Sequence, residues 1–216
     1  MKTVVAIDGP AASGKSSVAR EISSRLGYSY VDSGAFYRAM TWWILDRNAD
    51  PTSADEVTAL VAESRLESGF EENDAFLRID GVDATPHLRD HEVNRSVSPV
   101  SLVPAVRESL TSHLRDLASR RDVVVEGRDI GSIVFPDTPF KFYIDASQKV
   151  RQQRRNAEGR DDEVAQRDLI DSSRPNAPLR IARGALVIDS THLTVEGVVH
   201  EILRHLKAKG LSIPQR

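Results

Sequence analysis

The sequence predicts an α/β fold, a three-layer sandwich in which a central, mainly parallel β-sheet lies between helices. Two observations support this prediction. Apolar runs such as TVVAI at 3–7 and DVVVE at 122–126 lack the alternation of a half-buried strand, and strands buried on both faces of a parallel sheet have this character. Segments with apolar residues at helical spacing alternate with these runs, which is the order that places helices over a parallel sheet.

The elements of the predicted core follow one another in a regular rhythm. In the first half, a glycine-bearing turn connects a strand to a helix, and a second strand and helix follow. These segments are the strand 3–7, the helix carrying Val18, Ile22 and Leu26, the strand 28–31 and the helix 34–47. The second half has a helix beginning at Pro104, the strands 122–126, 140–145 and 185–189, and a last helix from Val195 to Leu206.

Residues 50–97 break this rhythm and are predicted to form an insertion on the core. Ser53 and Glu56 have the spacing of a capping box, which predicts the start of a short helix. Asp80 and Gly81 separate two short strand-like runs, a pattern typical of a two-residue β-hairpin turn. We therefore expect the insertion to contain a small β-hairpin.

Composition restricts the classes of function. A formal net charge of −3 argues against a general binder of nucleic acid or of membrane surfaces. No apolar run approaches the roughly 18 residues of a membrane span, and no secretory signal is recognisable. The chain has no cysteine, which excludes disulfides and thiol chemistry. We expect a cytoplasmic protein that binds neither nucleic acid nor membranes.

The segment AIDGPAASGKSS contains a phosphate-binding motif between a predicted strand and a predicted helix. In the pattern Gly-x4-Gly-Lys-Ser/Thr, backbone N–H groups surround phosphate oxygens, the lysine reaches the β- and γ-phosphates, and the hydroxyl holds Mg²⁺. The loop is therefore predicted to bind a nucleoside triphosphate, with Ser16 on the metal. The binding residues are Gly9, Pro10, Ala11, Ala12, Ser13, Gly14, Lys15, Ser16 and Ser17.

The motif alone does not separate GTPases, motor ATPases and small kinases. The sequence contains no Asn/Thr-Lys-x-Asp segment of the kind that reads guanine, and the chain is short for a motor. A small phosphotransferase is the remaining interpretation.

Polar residues follow three of the predicted strands, at the positions where open α/β sheets bind ligands. They are Asp32, the EGRD segment at 126–129, and Asp145. Arg38 and Arg128 could both reach an anion there. As alternatives, Asp32 with Ser33 can simply cap a helix, and EGRD can form a local ion pair.

The polar segment 147–183 is rich in arginine. We interpret it as a lid, because arginines stabilise the charge on a transferred phosphoryl group and closure excludes water. The alternative is a solvated, charged helix. The arginines are Arg151, Arg154, Arg155, Arg160, Arg167, Arg174, Arg180 and Arg183.

The chemistry of the acceptor separates two kinds of kinase. A hydroxyl acceptor benefits from a carboxylate base, whereas a phosphate monoester, with a second pKa of about 6, is already a nucleophile near neutral pH. A phosphate acceptor needs arginines to relieve the repulsion between two anions. The chain is rich in arginine and offers no clear base beyond Asp32, which favours a phosphate acceptor.

Several segments together resemble the bacterial cytidylate kinase family, nearly end to end and in order. They are IDGPAASGKSS, DSGAFYRA, VVVEGRDIGSIVFPD, RDLIDSSR, and APL followed by ALVIDST. The resemblance implies a P-loop kinase fold in one domain at 1–212, with a nucleotide-binding insertion at about 50–97 and a lid at about 147–175. It also implies transfer of the γ-phosphoryl group of ATP to CMP or dCMP with Mg²⁺, a role in pyrimidine nucleotide metabolism, and a monomer.

The same resemblance assigns roles to individual residues. Ser98, Arg107 and Asp129 would read cytosine, Arg167 and Asp171 would contact the sugar, and Ser33, Arg38, Arg128 and Arg174 would hold the acceptor phosphate. The catalytic set would be Lys15, Arg128, Arg151, Arg155 and Arg174. Glu126 stands where the family also has Asp.

Two other functions stay open from the residues alone. A kinase for a small hydroxyl metabolite would use Asp32 as its base, and a nucleotide-binding module would bind ATP without turnover. His87 and His91 are four residues apart but have no evident third ligand, so we do not expect a metal site there.

Overall fold

The structure is a computed structural model that describes residues 2–157, 164–172 and 179–214. The chain divides into two compact units. Unit 1 comprises residues 1–31 and 121–216, and unit 2 comprises residues 32–120. The insertion predicted at 50–97 lies inside unit 2.

The described strands and helices alternate in the predicted order. The strands are β1 (Val4–Asp8), β2 (Ser29–Asp32), β3 (Leu66–Glu71), β4 (Asp74–Ile79), β5 (Val82–Asp83), β6 (Val123–Gly127), β7 (Phe140–Asp145) and β8 (Leu186–Asp189). The helices are α1 (Lys15–Leu26), α2 (Ser33–Asp46), α3 (Ala54–Glu63), α4 (His91–Val100), α5 (Pro104–Arg120), α6 (Gln148–Ala157), α7 (Val164–Ser172) and α8 (Val195–Ala208). The predicted core segments lie within a residue or two of these bounds.

Unit 1 contains the sheet that the apolar runs predict. Its strand order is β2-β6-β1-β7-β8, and the pairs β1–β6, β1–β7 and β7–β8 are parallel. Helices α1 and α8 bury their apolar faces on this sheet, with Val18 and Ile22 against Val198 and Ile202 in one core cluster. The α/β fold with a mainly parallel sheet is thereby confirmed.

The register of the parallel strands brings their carboxyl ends to one edge. Asp8 pairs with Gly127 on one side and with Tyr143 on the other, and Asp145 pairs with Asp189. The acidic residues that end β1, β7 and β8 therefore share this edge, which is the ligand-binding edge of open α/β sheets.

Unit 2 contains more structure than the predicted hairpin. The two-residue turn at Asp80 and Gly81 is present, with positive φ at both residues, and it joins β4 to β5. However, β3 also pairs with β4 in an antiparallel register from Leu66↔Ile79 to Glu71↔Asp74. This second turn passes through Glu72, which adopts a φ of 54° without the glycine that marks such turns. The insertion thus contains three antiparallel strands, β3, β4 and β5, and a helix, α4, that was also not predicted.

The predicted capping box is only half formed. The Ser53 hydroxyl accepts the N–H of Glu56, as a capping residue should. The Glu56 carboxylate does not complete the box, because it accepts the N–H of Asp50.

In the described part of the chain, no helix is both long and apolar enough to cross a bilayer.

Candidate active site

The phosphate-binding motif forms the connection between β1 and α1. Ala12 and Gly14 both adopt left-handed backbone conformations, with φ values of 56° and 89°. The N-cap of α1 is Gly14, which has no side chain to accept the N–H groups of the first turn, and such N–H groups at a helix start can bind phosphate oxygens. Gly9 is required on steric grounds, since a Cβ there would overlap the carbonyl oxygen of Ile144. The loop therefore has the backbone geometry that the motif predicts.

A buried cluster of charged and polar groups lies beside this loop. Ser16 Oγ donates a 2.6 Å hydrogen bond to Glu126 Oε1. Lys15 Nζ lies 3.8 Å from Glu126 Oε2 and donates to the Pro10 carbonyl oxygen at 3.3 Å. Tyr30 Oη donates to Glu126 Oε1 at 3.2 Å. Glu126 is 3% exposed, and a carboxylate this deeply buried is tolerated only when cations and hydrogen-bond donors surround it.

Asp8 connects the end of β1 to the turn after β6. Its two carboxylate oxygens accept the N–H groups of Ile130 and Gly131 at 2.7 and 2.8 Å. Burial raises the pKa of Asp8 from 3.8 to about 7, although these two hydrogen bonds lower it; nearby Asp129 raises the pKa further and Lys15 lowers it. The carboxylate fixes the turn that carries the RD pair of EGRD.

Arg128 and Asp129 follow β6 at this fixed turn. The Arg128 guanidinium donates to the Gly9 carbonyl oxygen at 3.1 Å, which places it against the phosphate-binding loop. Asp129 is buried, and its backbone carbonyl accepts the N–H groups of Ile133 and Val134. EGRD is therefore more than a local ion pair, because its members contact the loop or its flanking residues.

Two arginines of the predicted lid also contact the loop. On α6, the Arg151 guanidinium donates to the carbonyl oxygens of Ala11 and Ala146 and forms a 2.6 Å ion pair with Asp168 of α7. Arg154 donates to the Ser13 carbonyl oxygen, and to the hydroxyl and carbonyl oxygens of Ser190. These contacts argue against a fully solvated, charged helix for α6.

The remaining arginines of the predicted lid are less fully described. Arg155 is buried on α6. Arg167 and Asp171 belong to α7, but their side chains are not described. Arg174 lies outside the described residues.

The candidates in unit 2 lie on three helices. Asp32 is the N-cap of α2, where its carboxylate accepts the N–H of Ala35 at 2.9 Å, as the capping interpretation predicts. Ser33 is buried in the first turn of the same helix, and Arg38 is half-buried one turn further on. This helix-capping role accounts for Asp32 without assigning it as a catalytic base.

Ser98 and Arg107 are brought together through Ser101. The Ser101 hydroxyl donates to the Ser98 carbonyl oxygen at 2.8 Å, and the Arg107 guanidinium donates to the Ser101 carbonyl oxygen at 3.3 Å. The same guanidinium lies 5.7 Å from the ring centroid of Tyr37 on α2. Two of the three residues that the resemblance assigns to cytosine therefore lie in one small region of unit 2.

Sequence reasoning missed several contributors to this site. Glu126, Tyr30, Asp8 and Arg154 were absent from the predicted binding and catalytic residues, although Glu126 was noted at a strand end. A charged residue that directly follows a run of buried valines was the available signal for Glu126, and Asp8 ends a similar run. Arg154 belongs to the arginines of the predicted lid, but no contact with the loop was predicted for it, and Tyr30 gave no signal, because only the fold brings these two residues to the loop.

His87 has neighbours that explain it without a metal. Its ring stacks on Trp42 with centroids 4.8 Å apart, and its Nδ1 lies 3.0 Å from Asp90. The adjacent Trp43 is buried in the core.

A glycine-rich loop between a parallel strand and a helix, with a buried lysine and carboxylate beside it, is how P-loop phosphotransferases hold a nucleoside triphosphate. We assign the chain to that class. The family model for cytidylate kinase matches residues 5–208. The chain therefore belongs to the cytidylate kinase family.

Individual relatives agree with this assignment. The chain is 40% identical over 213 residues to the cytidylate kinase of Nocardia farcinica, covering 93% of this chain and 92% of that one. It is 37% identical over 218 residues to the cytidylate kinase of Streptomyces griseus, covering 97% and 94%. Among solved structures, a gluconokinase from Sinorhizobium meliloti superimposes with a TM-score of 0.52 at 14% identity, covering 96% and 93%. This last likeness supports the fold alone.

Proposed function

We propose that the chain transfers the γ-phosphoryl group of ATP to CMP or dCMP, giving ADP and CDP or dCDP. Membership of the cytidylate kinase family over residues 5–208 is the observation that carries this proposal. The loop chemistry agrees with it, because the Lys15–Glu126–Ser16 cluster provides the cation, carboxylate and hydroxyl that a Mg²⁺–triphosphate site requires.

Ser16 and Glu126 fit a magnesium ion bound with ATP. Mg²⁺ prefers oxygen ligands and keeps several waters, and a hydroxyl beside a buried carboxylate meets that preference. When bound, the ion would neutralise charge on the β- and γ-phosphates. Lys15 would bind the same phosphates by its ammonium group, and the backbone of residues 9–17 would surround them.

The acceptor would be recognised by two sets of side chains. A hydroxyl, a guanidinium and a carboxylate can match the amino donor and the O2 and N3 acceptors of cytosine, and we assign these roles to Ser98, Arg107 and Asp129. The resemblance assigns Arg167 and Asp171 to the sugar, and it assigns Ser33, Arg38, Arg128 and Arg174 to the phosphate.

The transfer step needs charge stabilisation more than a base. The acceptor phosphate is largely ionised at neutral pH, so its oxygen attacks the γ-phosphorus directly and ADP leaves. Arg151 and Arg155 of α6, together with Arg128, Arg174 and Lys15, would offset the negative charge that two phosphates bring together. Arg151 already contacts the loop through the Ala11 carbonyl oxygen.

We further propose that the enzyme is a monomer that works in the cytoplasm, where ATP and nucleoside monophosphates are both available. Size-exclusion chromatography with light scattering tests the first part. A mass near 23.9 kDa is the expected result.

The decisive experiment measures ADP formation from ATP and Mg²⁺ with a panel of acceptors. Turnover with CMP and dCMP, well above UMP, AMP, GMP, shikimate and gluconate, is the expected result. Ser98→Ala and Arg107→Met should then raise KM for CMP, while Asp32→Asn should retain most of kcat. Turnover with shikimate or gluconate instead of any nucleotide, abolished by Asp32→Asn, would establish the hydroxyl kinase. ATP binding without turnover on any acceptor would establish a binding module.

A further inference from the structure

The Tyr30 side chain belongs to the sheet core, yet its hydroxyl reaches the donor site. Resting on the proposed function, we infer that Tyr30 is a positioning residue for phosphoryl transfer, which acts by fixing the Glu126 carboxylate that Ser16 and Lys15 share. No sequence motif assigns this role to Tyr30. The contacts around Glu126 do.

The two oxygens of Glu126 have different neighbours. Oε1 accepts hydrogen bonds from Ser16 Oγ at 2.6 Å and from Tyr30 Oη at 3.2 Å, whereas Oε2 faces Lys15 Nζ at 3.8 Å. Ser16 belongs to the phosphate-binding loop, whereas Tyr30 belongs to β2. The hydrogen bond from the Tyr30 phenol therefore holds Oε1 independently of the loop. The carboxylate is thus kept with one oxygen toward the serine and the other toward the lysine.

Tyr30 is itself rigidly held. It lies on β2 and is 3% exposed, within the core cluster that includes Ile22 and Val124. The Arg20 guanidinium lies over its ring at 4.1 Å from the centroid, a favourable cation–π arrangement. A tyrosine packed on its ring in this way has few alternative rotamers. Its hydroxyl therefore serves as a fixed point for Glu126.

Loss of the hydroxyl should affect the donor side of the reaction only. With one donor fewer on Oε1, the buried carboxylate can rotate and pair more closely with Lys15, because a buried charge seeks its remaining partners. That rotation would draw Lys15 from the phosphates and release the Ser16 hydroxyl from its orientation. The rate of transfer from Mg²⁺–ATP would therefore fall, while the side chains assigned to CMP would keep their positions.

Tyr30→Phe removes one oxygen atom and keeps the ring, so it tests the role with little packing change. We expect kcat to fall about tenfold, the size of one hydrogen bond to a charged group, and the Mg²⁺ concentration for half-maximal rate to rise. KM for CMP should stay within about twofold. Tyr28→Phe is the matched control, since Tyr28 is half-buried and packs against the same core; it should behave as wild type.

A double-mutant cycle separates positioning through Glu126 from a general structural effect. If Tyr30 acts through Glu126, adding Tyr30→Phe to Glu126→Ala, which leaves no acceptor for the phenol, should cost less than about twofold in kcat. The inference is overturned if the loss is equal in both backgrounds, if Tyr30→Phe is indistinguishable from wild type, or if KM for CMP rises as much as kcat falls. Wild-type turnover of CMP is measured first. Its absence would refute the proposed function, whereas a neutral Tyr30→Phe in an active enzyme refutes only this inference.

Discussion

Ser16 Oγ donates its hydrogen to Glu126 Oε1 across 2.6 Å, although 110 residues separate the two in the chain. Because the hydrogen points at the carboxylate, the oxygen lone pairs of Ser16 are left for a cation. Parallel pairing of β1 with β6 causes this arrangement. In this register Glu126 lies opposite Ile7, which is two residues before the first residue of the loop, Gly9. The loop and the carboxylate are therefore one unit of structure.

Replacing Glu126 with Gln should impair the donor site strongly. The amide has no charge to offset Lys15, and when its oxygen accepts from Ser16 and Tyr30 its NH₂ group faces the Lys15 ammonium, donor against donor. We expect kcat to fall about 10- to 100-fold, as for other residues that orient a metal ligand, with KM for CMP little changed. Steady-state assays at several Mg²⁺ concentrations measure this. Glu201→Gln is the control, because it removes an exposed carboxylate paired with Arg204. It should leave kcat and KM for CMP unchanged.

Gly9 should not tolerate even one added methyl group. A Cβ would overlap the Ile144 carbonyl oxygen and approach Ser13 Oγ at 2.9 Å, and the backbone atom cannot move without disturbing β7. Gly9→Ala should lower the free energy of unfolding by about 2 kcal/mol or more and abolish ATP binding. Urea denaturation and calorimetry provide the two readouts.

Gly197→Ala is the matched control for that substitution. Its Cβ would meet Thr194 Oγ1 at an ordinary 3.5 Å within α8. Alanine at a helical position is favoured over glycine by about 0.5–1 kcal/mol, so this variant should be slightly more stable. A destabilised Gly197→Ala with a neutral Gly9→Ala would contradict the steric argument.

The core could be predicted from the sequence because its signals are local. Buried strands, the loop motif and the helix beginning at Pro104 each depend on residues close together in the chain. The strand β3 could not be predicted, since the turn at Glu72 lacks glycine and the alternation of LESGFE is weak. Helix α4 carries a proline at position 99, which argues against a helix when the sequence is read alone.

The site could be predicted only where a motif marks it. Lys15 and Ser16 follow from loop spacing, but the partner of Ser16 depends on strand register, which no periodicity specifies. Composition marks the arginine-rich segment and the resemblance singles out Arg151 within it, and the structure adds what fixes this side chain, namely Asp168. The contacts of Asp8 with Ile130 and Gly131 span more than 120 residues. Such long-range contacts arise from topology.

Asp168→Asn should loosen Arg151. The ion pair of 2.6 Å holds α7 to α6, and both of its side chains are largely buried. Breaking it should therefore cost more free energy than breaking a surface ion pair. We expect kcat to fall about fivefold and KM for CMP to rise by a similar factor, because α7 also carries Arg167 and Asp171, the two residues that we propose contact the sugar. Asp46→Asn, which breaks an exposed pair with Arg47, should leave both constants unchanged. An unaltered Asp168→Asn enzyme would mean that the pair does not position Arg151.

Asp8 should give the stability of the protein an unusual dependence on pH. Burial raises its pKa from 3.8 to about 7 in the folded chain, so between these values the native state holds a proton that the unfolded state has lost. Stability from this group is therefore complete below about pH 4 and is lost as the pH rises through 7. The slope is about 1.4 kcal/mol per pH unit, with about 4 kcal/mol as an upper limit over the whole interval.

Asp8→Asn removes that titration and isolates its contribution. The amide presents an N–H group to Ile130 or Gly131 where the carboxylate accepted one, and this cost is the same at every pH. The variant should thus be less stable than wild type near pH 5 and should recover relative to it as the pH approaches 8. Urea unfolding at half-unit steps of pH measures the difference, with Asp46→Asn as a control for loss of one negative charge. A difference that stays constant across the range would mean that Asp8 is ionised throughout, and that its two backbone hydrogen bonds outweigh the cost of burial.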